Sequence, residues 1–595
     1  MSHTFHIPVL GLGFSVDTPL KVARYGISSV MSVVDDVLIE RMREYHAVQN
    51  NRPYTLIKKG DDDYRAKRIT AYLNLVDELV NEQFEALKQQ QFGTGSDLDR
   101  YFQLLPESSQ LRQGYDLMME YPEGERKQLF QAILKRNMVK GSADVNIMAK
   151  VDKMNFTEDG QYTGDENTDA LAALRGFVNS TLCSAVTLSA GMNPRLYSYL
   201  EAFPCFFPDE RGEFQKKVIL KVSDFRSAFI QAKFLAKKGV WVSEFRIESG
   251  LNCGGHAFAT EGFLLGPILE EFKTRRTEMQ EELYRLFDAA LLQKGMLVNN
   301  MPTQRITVQG GIGTAEENEF LQRYYNLDGT GWGSPFLLVP EATNVDDDTL
   351  AQLVMANEDD YYLSNASPLG ILFNNFKQSS IEQQRLMRIE FNRPGSPCTK
   401  KFLCSNTEFT EQPICTASRQ YQNLKLKQIE EEQLAPEAHQ KAVNAITEKI
   451  CLCEGLCSSA YLKYNISKPR ENTAVAICPG PNLAYFKNAF SLDDMVAHIY
   501  GKIDLLKNAA RPHVFLKEME LYVDYLQKDI QQNLAELTAK KKLQLTKFKE
   551  QMLVGISYYK TLFNEVLTLP TAAMEQLHAF ESRVDALLMG EMQTV

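Results

Sequence analysis

From residue 5 to residue 340 the chain repeats one pattern: a short β-branched run ending in small or polar residues, then a longer stretch with apolar residues at helical spacing. The runs are His6–Gly11, Ile27–Val34, Asp144–Ala149, Ala185–Ser189, Val218–Val222, Val240–Ile247, Ile306–Gly310 and Gly331–Val339. Strands that alternate with helices must pair in parallel, because each crossover returns the chain to the same end of the sheet. Eight such units predict an α/β fold, a (β/α)8 TIM barrel whose working groups lie at the C-terminal ends of its strands.

Two parts fall outside the repeat. Residues 40–140, after the second strand, read as a large helical insertion. Within it Leu73, Leu75, Val76, Leu79 and Val80 give a helix over Arg65–Gln90 a buried face. Its place is over the barrel mouth or along its flank. Beyond residue 385 comes a mainly helical C-terminal extension. Residues 386–480 hold seven of the ten cysteines with little periodicity, and residues 481–595 are helical, with Phe515–Leu537 and a second helix from Lys540 forming a hairpin. The expected organisation is therefore a barrel over 1–385, a cysteine-containing segment over 386–480 and a helical domain over 481–595. The run Lys540–Lys542 reads as a solvated helix face, and Asp61–Asp63 and Asp346–Asp348 as loop or helix-start charge.

A net charge of −11 speaks against nucleic acid or an anionic membrane as a general partner. No run nears the roughly 20 apolar residues of a membrane span, and the N-terminus lacks the features of a signal peptide. Cysteines without regular short pairing fit a reducing, cytoplasmic setting. Amphipathic helices at the C-terminus would serve a homo-oligomer or pack on the barrel equally well.

Three glycine-rich strand ends are the candidate chemistry. Ser249-Gly250-Leu251-Asn252-Cys253-Gly254-Gly255-His256 follows a strand and ends in the one histidine between His46 and His439. Imidazole is the side chain best suited to move protons near neutral pH. Gln309-Gly310-Gly311-Ile312-Gly313-Thr314 opens a helix, so its free N–H groups and dipole suit a phosphate. Gly329-Thr330-Gly331-Trp332-Gly333-Ser334-Pro335-Phe336 is the third, and paired phosphate turns after strands seven and eight recur in barrels.

Gly254-Gly255-His256, Gly310-Gly311-Ile312 and Gly329 to Phe336, in that order, resemble the motifs of the nitronate monooxygenase (2-nitropropane dioxygenase) family. These are FMN-dependent TIM-barrel oxidoreductases, and they include flavin enoyl reductases. Ile7-Pro8-Val9 to Thr18-Pro19, Val145-Asn146-Ile147 and Cys451-Leu452-Cys453-Glu454-Gly455-Leu456 are similar to further family segments. The resemblance implies FMN as cofactor, its phosphate on Gly310, Gly311, Gly333 and Ser334 with Gly331 and Trp332 adjacent. It also implies that Gly11, Gly13, Asn146, Ser249 and Gly254 lie near the ring, with His256 as general base. The implied substrate is a small molecule, a nitronate, enoyl compound or other activated carbon acid, with NAD(P)H or O2 as electron partner. An NAD(P)H-dependent C=C reductase and a non-catalytic flavin-binding or scaffold barrel are the alternatives. The chain departs from the family at Ser249, Asn252-Cys253, Gly13 and Pro335, which bears on substrate more than on fold.

The cysteines Cys398, Cys404, Cys415, Cys451, Cys453, Cys457 and Cys478 offer enough thiolates for an iron–sulfur cluster or zinc, yet match no familiar spacing. Small buried apolar thiols are the expectation, and no metal site is assigned.

Overall fold

The computed structural model describes residues 3–157, 159–189, 191–253, 261–533, 538–567 and 569–587. Eight parallel strands close in sequence order: β1 (Phe5–Ile7), β2 (Ser28–Ser32), β3 (Ala143–Met148), β4 (Ala185–Ser189), β5 (Lys217–Val222), β6 (Val242–Glu248), β7 (Arg305–Gln309) and β8 (Gly329–Gly331). Pairing of Phe5 with Thr330 and His6 with Gly331 shuts the ring. This is the (β/α)8 barrel the alternation predicts.

The eighth strand lies earlier than expected. The run Gly331–Val339 is not a strand; β8 ends at Gly331, and Ser334–Leu338 is a 3-10 turn. Pro335 has a fixed φ and no N–H to give a ladder, which ends the strand and suits the start of a helical turn.

Instead of branched aliphatics alone, the barrel carries ions. At the strand starts Arg246 donates to Asp144 (3.0 Å) and Glu244 (2.6 Å), all three buried. Higher up, Lys221 Nζ lies 2.8 Å from Glu248 Oε1, which also accepts from Gln309 Nε2 at 3.0 Å. Buried charge persists only when paired in this way. His6, beside this cluster, is pushed down to about 3 by burial and by Arg246. A hollow of about 810 Å³ opens around the strand starts, at the end opposite the one where barrels carry their chemistry.

The insertion runs along the flank. Its longest helix, Tyr64–Gln89, packs against helices Asp36–Gln49 and Asp169–Val178. Arg65 and Arg68 both grip Asp36, at 2.7 and 2.8 Å. At Gly176 a Cβ would come within 2.8 Å of Ile69, so only glycine lets the helices approach so closely.

The C-terminal extension covers the mouth. A hairpin, β9 (Tyr361–Ser364) with β10 (Phe373–Phe376), and helix Leu452–Lys463 sit over β1–β3. Helices Val514–Asn533 and Ala539–Glu565 form the expected helical pair, closed by Thr571–Ala586. Lys540 and Lys542 are exposed, and Lys541 pairs with Asp529. Buried side chains of barrel and extension form one continuous core. Among the described residues no helix is long and apolar enough to cross a membrane.

Candidate functional site at the barrel mouth

The C-terminal ends of β1, β2 and β3 bound a small cavity of about 100 Å³. Its walls are largely apolar, with Val9, Val34, Met148, Leu369, Phe373 and Leu456 among them, and Gly11, Cys453 and Cys478 also line it. Three polar side chains, Ser32, Asn146 and Ser367, break this lining, and Ser367 Oγ accepts from Leu369 N at 3.3 Å. Ser32 and Asn146 are each about 2% exposed, and among the described residues neither Ser32 Oγ nor Asn146 Oδ1 has a hydrogen-bond partner. An unsatisfied buried polar atom costs on the order of 1–3 kcal/mol, so two on one apolar cavity mark a place where a ligand would complete the bonding. Both sit at inward positions of their strands, where the pleat turns alternate side chains to the barrel axis.

The opposite side of the mouth is built differently. Gly310 and Gly311 take the left-handed backbone (φ +104° and +80°), as a tight turn into helix Ala315–Tyr324 requires. The free N–H of Gly313 donates to Glu317 Oε2 at 2.9 Å, and Thr314 caps the helix by accepting from Glu317 N. Glu317 Oε1 accepts in turn from Arg511 Nη1 and from Val514 N, both at 2.7 Å. Arg511 also donates to the Gly311 carbonyl and to Asn482. Burial alone would raise the Glu317 carboxyl, but Arg511 outweighs it and holds the group below its ordinary value. A Cβ at Gly311 would lie 3.1 Å from Val514, and one at Gly313 2.5 Å from Arg511.

Glu518, one helical turn beyond Val514, fills the neighbouring turn. It accepts from Ser249 Oγ (2.8 Å), Gly250 N (3.2 Å) and Leu265 N (2.8 Å), the last at the start of helix Leu265–Gln293. Burial pushes this carboxyl up to about 7 against those three hydrogen bonds.

Of the expected site residues, Gly11 and Asn146 line the cavity. Gly13 instead donates to Leu456 O at 2.8 Å and seats helix Leu452–Lys463. Ser249 holds Glu518, and Gly310 and Gly311 face Asn252, Leu251 and Val514. Gly331 packs on Gln309 and His6, and the buried Trp332 ring lies edge-on to His498 at 6.0 Å. Gly333 abuts Cys253, Leu10 and Pro8, while Ser334 bonds to Cys253 and is covered by Gly480. Burial drives the Cys253 thiol well above its ordinary value, the opposite of an activated nucleophile. Gly254 and His256 lie outside the described residues.

A flavin mononucleotide would find polar groups for its ring here, but not its full space. The cavity offers two unpartnered polar atoms to a heteroatom-bearing ring, yet it holds about 100 Å³ where pockets for ligands of that size begin at ~300 Å³. The phosphate end does not fit as the sequence led one to expect. A second anion would meet the Glu317 carboxylate, already seated on Gly313 N, and the space is taken by Val514 and Arg511.

Sequence reasoning missed Ser32, Glu317, Arg511 and Glu518. Ser32 looks like any serine in a strand. Glu518 carried a signal, an acidic residue beside the apolar positions Phe515, Met519 and Tyr522, all buried.

The chain matches no known protein-family model, and no curated protein is similar to it in sequence. Among solved structures it is similar to the enoyl reductase domain of MlnA from the macrolactin biosynthesis cluster of Bacillus amyloliquefaciens. The identity is 14% and the TM-score 0.33, over 63% of this chain and 84% of that one. So distant a likeness says nothing of substrate or cofactor.

Proposed function

We propose that this barrel is a flavin-dependent oxidoreductase that binds the cofactor's ring at the β1–β3 side of its mouth and acts there on a small, largely apolar molecule. The favoured substrate is a nitronate or similarly activated carbon acid, with O2 as acceptor. The observation behind this reading is the pair Ser32 Oγ and Asn146 Oδ1, buried and without partners on an otherwise apolar cavity at the working end of the barrel. Flavin supplies the redox chemistry when bound, and the protein supplies position and proton handling. In this reading Asn146 and Ser32 orient the ring, the apolar walls exclude water, and His256, which follows β6 in the sequence, takes the proton α to the activating group.

Ring-led binding makes a sharp expectation. Riboflavin and FMN should quench and bind with affinities within about threefold of each other, since the phosphate finds its cradle filled. Protein that stays colourless with either ligand sinks the flavin reading and leaves a scaffold barrel. For flavin-loaded protein, anaerobic bleaching by a nitroalkane or nitronate supports the monooxygenase. Fast bleaching by NADPH or NADH, followed by reoxidation with an enoyl thioester, would replace it with a C=C reductase. His256→Ala should keep bound flavin yet lose about 10²–10⁴-fold in turnover, the usual worth of a general acid–base; unchanged turnover removes His256 from the mechanism.

A further inference from the structure

The mouth cavity holds about 100 Å³, less than a ligand of the proposed kind needs, and the missing room lies beside it. A cleft of about 500 Å³ opens between the β9–β10 hairpin and helix Val514–Asn533. The two spaces share a partition, because Leu372, itself half-buried, lines both.

Leu372 ends the turn 365–372 that joins β9 to β10, and Leu369 and Ile371 of the same turn also wall the mouth cavity. The start of the turn is tied down. Asn365 N donates to Glu448 Oε1 at 2.8 Å, Ile450 N to Ala366 O at 3.0 Å, and Lys449 Nζ to Ser367 O at 3.2 Å. Its end is not packed to the same depth. Leu369, Ile371 and Leu372 are half-buried, and a Cβ at the exposed Gly370 would meet nothing within 4 Å. Such a turn opens at lower cost than the core around it, and moving Leu372 aside joins cavity to cleft.

The cleft is itself incomplete. Tyr361 lines it and is 8% exposed, and among the described residues its hydroxyl has no hydrogen-bond partner. A buried hydroxyl left in this state calls for completion, as Ser32 and Asn146 do. Most charges around it are already paired: Lys517 with Glu358 and Glu520, Asp524 with Arg583, and Asp529 with Lys541. Lys377, Lys528 and Asp359 are exposed, where solvent screens them. What faces a guest inside is the Tyr361 hydroxyl with the rings of Tyr362 and Tyr525, a lining for an uncharged, hydroxyl-bearing chain rather than an ion.

We propose that this cleft is the entrance and outer subsite of the mouth cavity, with the turn 365–372 as its gate and Leu372 as the closing side chain. The ligand then has a heteroatom-bearing ring for the cavity and an uncharged hydroxyl-bearing tail that lies against Tyr361. This rests on the mouth cavity being the ligand site, but not on the ligand being a flavin.

The test uses the full chain and two measurements. The first needs no ligand. Cys453 and Cys478 line the mouth cavity, whereas Cys457 is buried outside it and reports unfolding. With N-ethylmaleimide, read by mass spectrometry of peptides, Leu372→Ala should label Cys453 and Cys478 about tenfold faster and leave Cys457 unchanged. Leu372→Trp, which fills the gap, should label them more slowly than the unaltered chain. The second measurement compares riboflavin, a ring with an uncharged polyol tail, with lumiflavin, the ring without that tail. Tyr361→Phe should weaken riboflavin about fivefold, the worth of one hydrogen bond, and leave lumiflavin within about twofold. Unchanged labelling in both Leu372 variants, or equal weakening of the two flavins, would overturn the route. Should Leu372→Ala expose Cys457 as well, Leu372→Trp and the flavin pair decide. Should neither flavin bind, the flavin reading falls, and the labelling alone decides for or against the gate.

Discussion

The two sides of the barrel mouth solve opposite problems with the same scaffold. On the β6–β8 side three backbone amides are answered by carboxylates from the chain itself: Glu317 on Gly313, Glu518 on Gly250 and Leu265. On the β1–β3 side an apolar cavity keeps Ser32 Oγ and Asn146 Oδ1 unanswered. The first side fills its turns with its own carboxylates, whereas the second leaves two polar atoms on one apolar cavity. A barrel's catalytic half cannot be identified from glycine turns alone, because such turns serve internal caps as readily as ligand phosphates.

The satisfied side can be broken. Arg511 and Glu317 are 4% and 3% exposed at 2.7 Å. Arg511→Met should cost about 3–5 kcal/mol, since it strands a buried carboxylate. Urea melts would show this, and Glu317→Gln in the same chain should restore most of the loss. Full stability in the single variant would mean that the carboxylate is not sealed by its cation.

Glu518 sharpens the contrast through pH. Its carboxyl keeps the proton to about pH 7 when folded, against an ordinary 4.5. Its contribution is therefore complete below pH 4.5 and is lost as pH rises through 7, by on the order of 3 kcal/mol. Glu518→Gln should flatten the fall in melting temperature between pH 5 and 8. The buried His3 and His6, pushed down to about 4 and about 3, work in the opposite sense, losing stability as pH falls below 6.5. They are common to both proteins, so the difference between the two curves reports Glu518.

On the incomplete side the effects are smaller and the sign differs. Asn146→Ala should weaken riboflavin by about tenfold, the worth of one hydrogen bond of ~1 kcal/mol or slightly more, while leaving stability unchanged or raised. A loss of stability with no loss of binding would show Asn146 to be structural. The smallest effect belongs to the exposed Lys542, where Lys542→Ala should stay within about 0.5 kcal/mol in either direction.

Most of the barrel was legible because β2 to β7 are short β-branched runs whose periodicity states both strand and buried face. β8 was misplaced because two of its three residues are glycines, so its apolar signal comes from Phe336 to Val339, which turn rather than extend. The site was legible in halves. Gly11 and Asn146 came through motif resemblance, and the glycine turns were found where expected. What occupies those turns was hidden, since Arg511 lies 194 residues from Glu317 and no local pattern links them. The seven-cysteine density in 386–480 was visible, but the convergence of Cys398 and Cys415 on Cys451 is a fact of three dimensions.

That separation also sets a clock. A ribosome adding ~5–20 residues per second needs roughly 10–40 s to travel from Glu317 to Arg511. Once β8 has followed at Gly329–Gly331, every strand of the ring exists for the rest of that interval, yet one wall still carries a bare anion awaiting its countercharge. The nascent barrel must therefore either hold a proton on Glu317, borrow a cation from solvent, or delay its final closure until its own C-terminal arm arrives.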